Sequence, residues 1–176
     1  MKPSSWILSG ANRAGTQSQC LGLAQALGLD PILKKISPRL PWRYLPPQLW
    51  FAPLRSQDST GDPLSPPWPQ IIIASGRATV ASALHIRRKT GCYTIFVQDP
   101  LVNPKHFDLV IPPTHDGVTG SNVIPMLGML HHLTQENLKE AAQQFSSQIS
   151  DLPPPYITVL VGGKLCALSI LKNNNS

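Results

Sequence analysis

The sequence predicts an α/β fold, a Rossmann-like, doubly wound and mostly parallel sheet. Three observations point there. Short β-branched runs alternate with stretches of helical periodicity. The strongest run, residues 70–74, is apolar on both faces, as a strand covered from two sides must be. Glycine and polar residues follow the runs directly, where ligands of such sheets bind.

Residues 5–9 are a short apolar run ending at Gly10. A polar loop, residues 10–18, leads to Cys20, Leu21, Leu23, Ala24 and Leu27, which are apolar at helical spacing and closed by Gly28. Residues 30–36 supply a second strand. Residues 38–69 then break periodicity, with nine of the chain's 19 prolines beside Trp42, Tyr44, Trp50, Phe51 and Trp68. That many aromatic rings favours a packed, partly helical excursion over disorder. Order returns with the strand at 70–74, a helix over 79–89 closed by Gly91, and strands at 93–98, 108–111 and 122–124. Thr134 is placed to cap a helix running to about Ile149. Three prolines at 153–155 stiffen a linker, and residues 156–161 form a strand entering Gly162 and Gly163. The expected division is residues 1–150 as the Rossmann-like domain and 151–176 as linker, strand and tail.

At 176 residues the chain has room for one domain of ordinary size, and 41% apolar content supports a real core. No apolar run reaches the length of a membrane span, and the first residues lack a secretory core. Cys20, Cys92 and Cys166 lie far apart without metal-ligand spacing, which disfavours a disulfide framework and a zinc module. A reducing cytoplasm is the expected compartment. The net charge of +6 favours anionic partners: phosphates, nucleic acid or an acidic membrane surface.

The chemistry-bearing residues gather after the strands. In the first loop Gly15 and Gln19 precede a helix whose free N–H groups suit an anion, although the pattern is neither GxGxxG nor a P-loop. A plain strand-to-helix turn is the alternative. Ser75, Gly76 and Arg77 follow the best strand, where glycine permits a close turn and the guanidinium fork suits phosphate or carboxylate. The alternative there is an ion pair with a neighbouring Asp. Asp99, and His115 beside Asp116, end later strand regions. A His next to a carboxylate suits general acid–base work, but adjacent side chains need not face each other. His131 and His132 chelate poorly as neighbours, so no metal is expected. Arg87, Arg88 and Lys89 suit a helix C-terminus. Lys34, Lys35, Arg39, Trp42, Arg43, Tyr44, Trp50 and Arg55 mix cations with aromatic rings. Three uses rank in order: packing within the domain, peripheral membrane contact through residues 38–55, and single-stranded nucleic acid. No nucleic-acid module is recognisable, so no such partner is expected.

Together these loops resemble the plant mitochondrial fission (elongated mitochondria) protein family, whose bacterial members carry the name predicted nucleoside-diphosphate-sugar epimerase. The matching pieces are Trp6-Ile7-Leu8, Ala14-Gly15-Thr16-Gln17-Ser18-Gln19, Gly22-Leu23-Ala24, Pro69 through Arg77, and Gln98-Asp99-Pro100. Phe107-Asp108-Leu109-Val110, Pro113-Thr114-His115-Asp116, Asn122-Val123-Ile124, Gly128 and Leu160-Val161-Gly162-Gly163 complete them.

The resemblance implies a GT-B glycosyltransferase-like fold, with residues 1–150 as its acceptor-side domain. A nucleotide-sugar ligand and an anionic or lipid-linked acceptor follow, with no cofactor assigned. Gly15, Gln19, Ser75, Gly76, Arg77, Asn122, Gly162 and Gly163 would bind, while Asp99, His115 and Asp116 would serve catalysis. The chain holds neither a dinucleotide fingerprint nor a Tyr-x-x-x-Lys pair to support epimerisation. Asn12 stands where glycine is expected, and Leu101 where a basic residue is usual. The match is expected to stop at Gly163, with the remainder reading as a truncated end and the second domain missing. Such a half-protein would lack turnover alone, sit in the cytoplasm or peripherally at the inner membrane, and self-associate through uncovered apolar surface. The rival reading is a non-catalytic interaction or membrane-recruitment module, because the plant members are associated with fission through a dynamin-type partner.

Overall fold

Five short apolar segments pair in parallel to build the sheet of the computed structural model, which describes residues 2–11, 14–131, 133–153 and 155–159. They are β1 (Ser5–Gly10), β2 (Pro31–Ile36), β3 (Ile71–Ser75), β4 (Tyr93–Val97) and β5 (Leu109–Ile111), in the spatial order β2-β1-β3-β4-β5. The register sets Ser9 beside both Lys35 and Ser75, and Ser75 beside Val97, so the strands' carboxyl ends share one edge.

Alternation along the strands supplies both faces. Trp6, Leu8, Ile72, Ala74 and Phe96 pack with Val80, Ala83 and Ile86 of helix α2 (Arg77–Thr90). Ile7, Ile73, Ile95 and Val97 pack with Cys20 and Ala24 of helix α1 (Ala14–Ala26). Two helices on opposite faces make the sheet doubly wound, and each fully buried Ile, Leu or Phe contributes about 1.5–3 kcal/mol.

The excursion between β2 and β3 is closed at its base by backbone bonds from Arg39 to Ser56 and from Asp58 to Ser37, each 2.8 Å. Two short 3-10 turns, Pro47–Leu49 and Pro53–Arg55, pack on α2. Trp42 and Trp50 are buried against Ala81 of that helix. Their indole Nε1 atoms donate to the carbonyls of Phe51 (2.8 Å) and Leu45 (3.0 Å).

Three expectations change. Residues 14–18 are helical rather than loop, because buried Thr16, Gln19 and Cys20 draw the first turn of α1 onto the core. The strand at 122–124 shrinks to one parallel bridge between Val110 and Val123, because Pro112 has no N–H to make the next rung to the Ile124 carbonyl. Residues 156–159 carry no strand, and the rest of that expected strand lies outside the described residues.

The chain divides into two compact units, Met1–Leu133 and Thr134–Ser176. The second contains helix α3 (Gln135–Ile149), whose Thr134 hydroxyl accepts from the Asn137 N–H at 3.1 Å as the sequence predicts for its cap. No helix among the described residues is long and apolar enough to cross a membrane.

Candidate functional site

The chain leaves β1 toward β2 on one side, while β3, β4 and β5 extend to the other. Connections diverging from adjacent strands leave a crevice beyond their carboxyl ends. Here a cleft of about 380 Å³ occupies that place. Gly10 and Ala11 from β1 line it, with Ser37 after β2, and Gly76 and Arg77 at the start of α2. The excursion adds Arg43 and Trp50. No aspartate or glutamate is among the described residues that line it.

Gly76 is what lets α2 start here. Its φ of 85° and ψ of 147° belong to a region that essentially only glycine visits, and no side chain caps the helix. Among the described residues Arg77 pairs with no Asp. Instead its Nη2 donates to the carbonyls of Tyr44 (3.2 Å) and Leu45 (3.0 Å), tying the excursion to the helix. Carbonyls are neutral acceptors, so the guanidinium charge stays uncompensated beside the cleft.

The other sequence-predicted residues take different places. Ser75 is fully buried, and its hydroxyl donates to the Val97 carbonyl at 2.8 Å, stitching β3 to β4. Gly15 lies exposed in the first turn of α1 and Gln19 is buried one turn on; neither lines the cleft. Asp99 follows β4 in a tight turn where Gln98 and Leu101 both have positive φ, and its carboxylate accepts from the Leu101 N–H at 2.8 Å. His115 and Asp116 share a 3-10 turn after β5, with Nε2 and Oδ1 3.4 Å apart and the His side chain 84% exposed. Solvent screening leaves such a contact weak. Asn122 donates from Nδ2 to the carbonyls of Pro104 (2.8 Å) and Phe107 (2.9 Å), anchoring the loop before β5. Gly162, Gly163 and His132 lie outside the described residues. The structure thus gathers Gly76 and Arg77 at one cleft, while Asp99, His115, Asp116 and Asn122 sit on the β4 and β5 loops away from its lining.

Two features escape a sequence reading. Arg43 reaches the cleft only because the excursion folds back over α2, and nothing in its neighbours signals that. Arg87, expected to serve the helix dipole, donates from Nε and Nη2 to both oxygens of Asp108 at 3.0 and 2.7 Å. Asp108 also accepts from the Thr94 N–H and hydroxyl, each at 2.8 Å. The Arg87 guanidinium foremost, against the cost of burial and helped by Thr94, lowers the Asp108 carboxyl to about 2.

A family model described as mitochondrial fission ELM1 matches residues 14–173. The match therefore continues past Gly163, where the sequence reading expects it to stop. The mitochondrial fission protein ELM1 of Arabidopsis thaliana is 28% identical over 119 residues, which cover 53% of this chain and 28% of that relative. The chain thus spans less than a third of the length of this curated relative. No solved structure matches the chain.

Proposed function

The chain belongs to the mitochondrial fission ELM1 family, and on that premise we propose that its sheet domain binds a phosphate-bearing ligand as one wall of a GT-B-like, nucleotide-sugar-related site. One observation carries this reading: a cleft at the β1/β3 carboxyl edge bordered by Arg43 and Arg77 with no carboxylate in its lining. The free N–H groups that open α2 add partial positive charge at the same place. A diphosphate is the shared chemistry of a nucleotide-sugar and a lipid-linked acceptor, and a planar guanidinium fork suits it.

The domain binds in this reading without turning over. Asp99 and Asp116, the candidate bases for an acceptor hydroxyl, are not among the lining residues. Transfer also needs donor and acceptor held together, which one wall does poorly.

Thermal shift with inorganic pyrophosphate, a UDP-sugar and a GDP-sugar tests the reading. At about a hundred times its Kd a ligand stabilises the fold by about 2.7 kcal/mol, a rise of several degrees that high salt should weaken. Arg77→Gln and, separately, Arg43→Gln should abolish it. The second variant matters because Arg77 also braces the excursion. Absence of a shift with all three compounds would remove the binding site, and sugar transfer by the purified chain would remove the claim of binding without turnover.

A further inference from the structure

We propose that the excursion between β2 and β3 docks the protein on an anionic phospholipid surface. Packing explains six of the ten large aromatic and aliphatic residues of the excursion and leaves four. Trp42 and Trp50 are buried, yet Leu40, Tyr44, Leu49 and Phe51 are 66, 77, 63 and 60% exposed. Each lies within two residues of one of those tryptophans. Four large apolar side chains held outward within twelve residues are costly in water and suited to a headgroup layer.

The charge around them fits the same partner. Between Asp30 and Asp58 the chain carries Lys34, Lys35, Arg39, Arg43 and Arg55 and no acidic residue. A second cavity, about 260 Å³ and bounded by Trp50 and Pro53 of the excursion, is lined by His85, Arg88 and His106 and again by no carboxylate. Arg88 thus adds a cation beside the five that the excursion and its approach carry. A second copy presenting the same face would set cation against cation, whereas an anionic lipid surface complements it.

Little ordering is needed on contact. The Trp42 and Trp50 indoles, the Arg77 guanidinium and the bonds at the base already hold the excursion's backbone. The inference stands apart from the ligand of the cleft, although Arg43 and Trp50 belong to both, so docking would bring the cleft to headgroup depth.

Flotation of the 176-residue chain with vesicles of phosphatidylcholine alone, or mixed with phosphatidylglycerol, decides it. Binding is expected only to the mixed vesicles and should fall at high salt. Each arginine near such a surface is worth about fivefold in partition, so Arg39→Gln with Arg55→Gln should lower it about twenty-five-fold. Leu40→Ser with Leu49→Ser, both at exposed positions, should lower it about tenfold, with melting unchanged. Brominated lipids should quench the tryptophan emission of the unaltered chain, a readout that needs no variant. No flotation with the mixed vesicles would overturn the proposal. So would equal flotation with phosphatidylcholine alone, flotation unaffected by both double variants, or self-association without vesicles that the leucine variant abolishes.

Discussion

Helix α2 carries an arginine near each end, and the fold uses the two in opposite ways. At the C-terminal end Arg87 meets both oxygens of Asp108, and the carboxylate cancels its charge. Thr94 adds two more donors to Oδ2 of that carboxylate, so the charge of Asp108 is committed to this cluster. At the N-terminal end Arg77 meets two backbone carbonyls, which fix its position and leave its charge standing. The residue type and the helix are the same; the counter-group differs. A carboxylate turns an arginine into a clamp between helix and sheet. A pair of carbonyls keeps it cationic beside a cleft, on the sheet edge where ligands of parallel sheets collect.

Removing the clamp tests the first half of that contrast and has the largest expected effect. Asp108→Ala deletes every bond its carboxylate accepts and strands the Arg87 charge, at an expected cost of about 2–3 kcal/mol after allowing for partial exposure. The acid dependence has a definite sign. Folding lowers the Asp108 carboxyl from 3.8 to about 2, so its stabilisation is complete above its ordinary value and fades as pH falls toward 2. Urea midpoints across that window should drop in the unaltered protein and flatten in Asp108→Ala. A loss below about 0.5 kcal/mol would make the pair an ordinary solvated contact and erase the contrast.

The cleft end breaks through its glycine. A Cβ on Gly76 would meet no atom within 4 Å, so Gly76→Ala has no clash to relieve. Its cost is the backbone alone, about 2 kcal/mol for holding alanine at a conformation glycine reserves for itself. Because that conformation starts α2 and positions Arg77, the pyrophosphate-induced shift should vanish as well. A lower melting temperature with the shift intact would place the anion somewhere other than the start of α2.

How far these features can be read from the chain depends on how local their causes are. The sheet was legible because residues 70–74 and 93–97 carry their β-branched and aromatic pattern in consecutive positions, and Thr134 announced its helix within one turn. The placement of Gly76 and Arg77 at the end of a strand is legible for the same reason: a strand, a glycine and a cation stand in direct succession. The Arg87–Asp108 clamp spans 21 residues, and only the parallel pairing of β4 with β5 brings its partners together. Arg43 enters the cleft through a loop whose course no periodicity encodes. The early start of α1 was hidden too. Gly15 and Ser18 weaken a helix by propensity, and burial of Thr16 and Gln19 overrides them.

That override supplies the gentlest test, comparing the glycines that open the two helices. Gly76 holds a conformation that needs glycine; Gly15 has no positive φ, and a Cβ there would find open space. Gly15→Ala should therefore stabilise the fold by about 0.5–1 kcal/mol, since alanine orders at lower entropic cost within a helix. The sequence also marks Gly15 as a place where a ligand approaches the backbone. If it is, the added methyl raises the melting temperature of the free protein while shrinking the shift that pyrophosphate induces, two readouts moving in opposite directions. If the shift keeps its size while stability rises, the glycine serves only the helix, and binding rests on the Gly76 side of the β1/β3 edge alone.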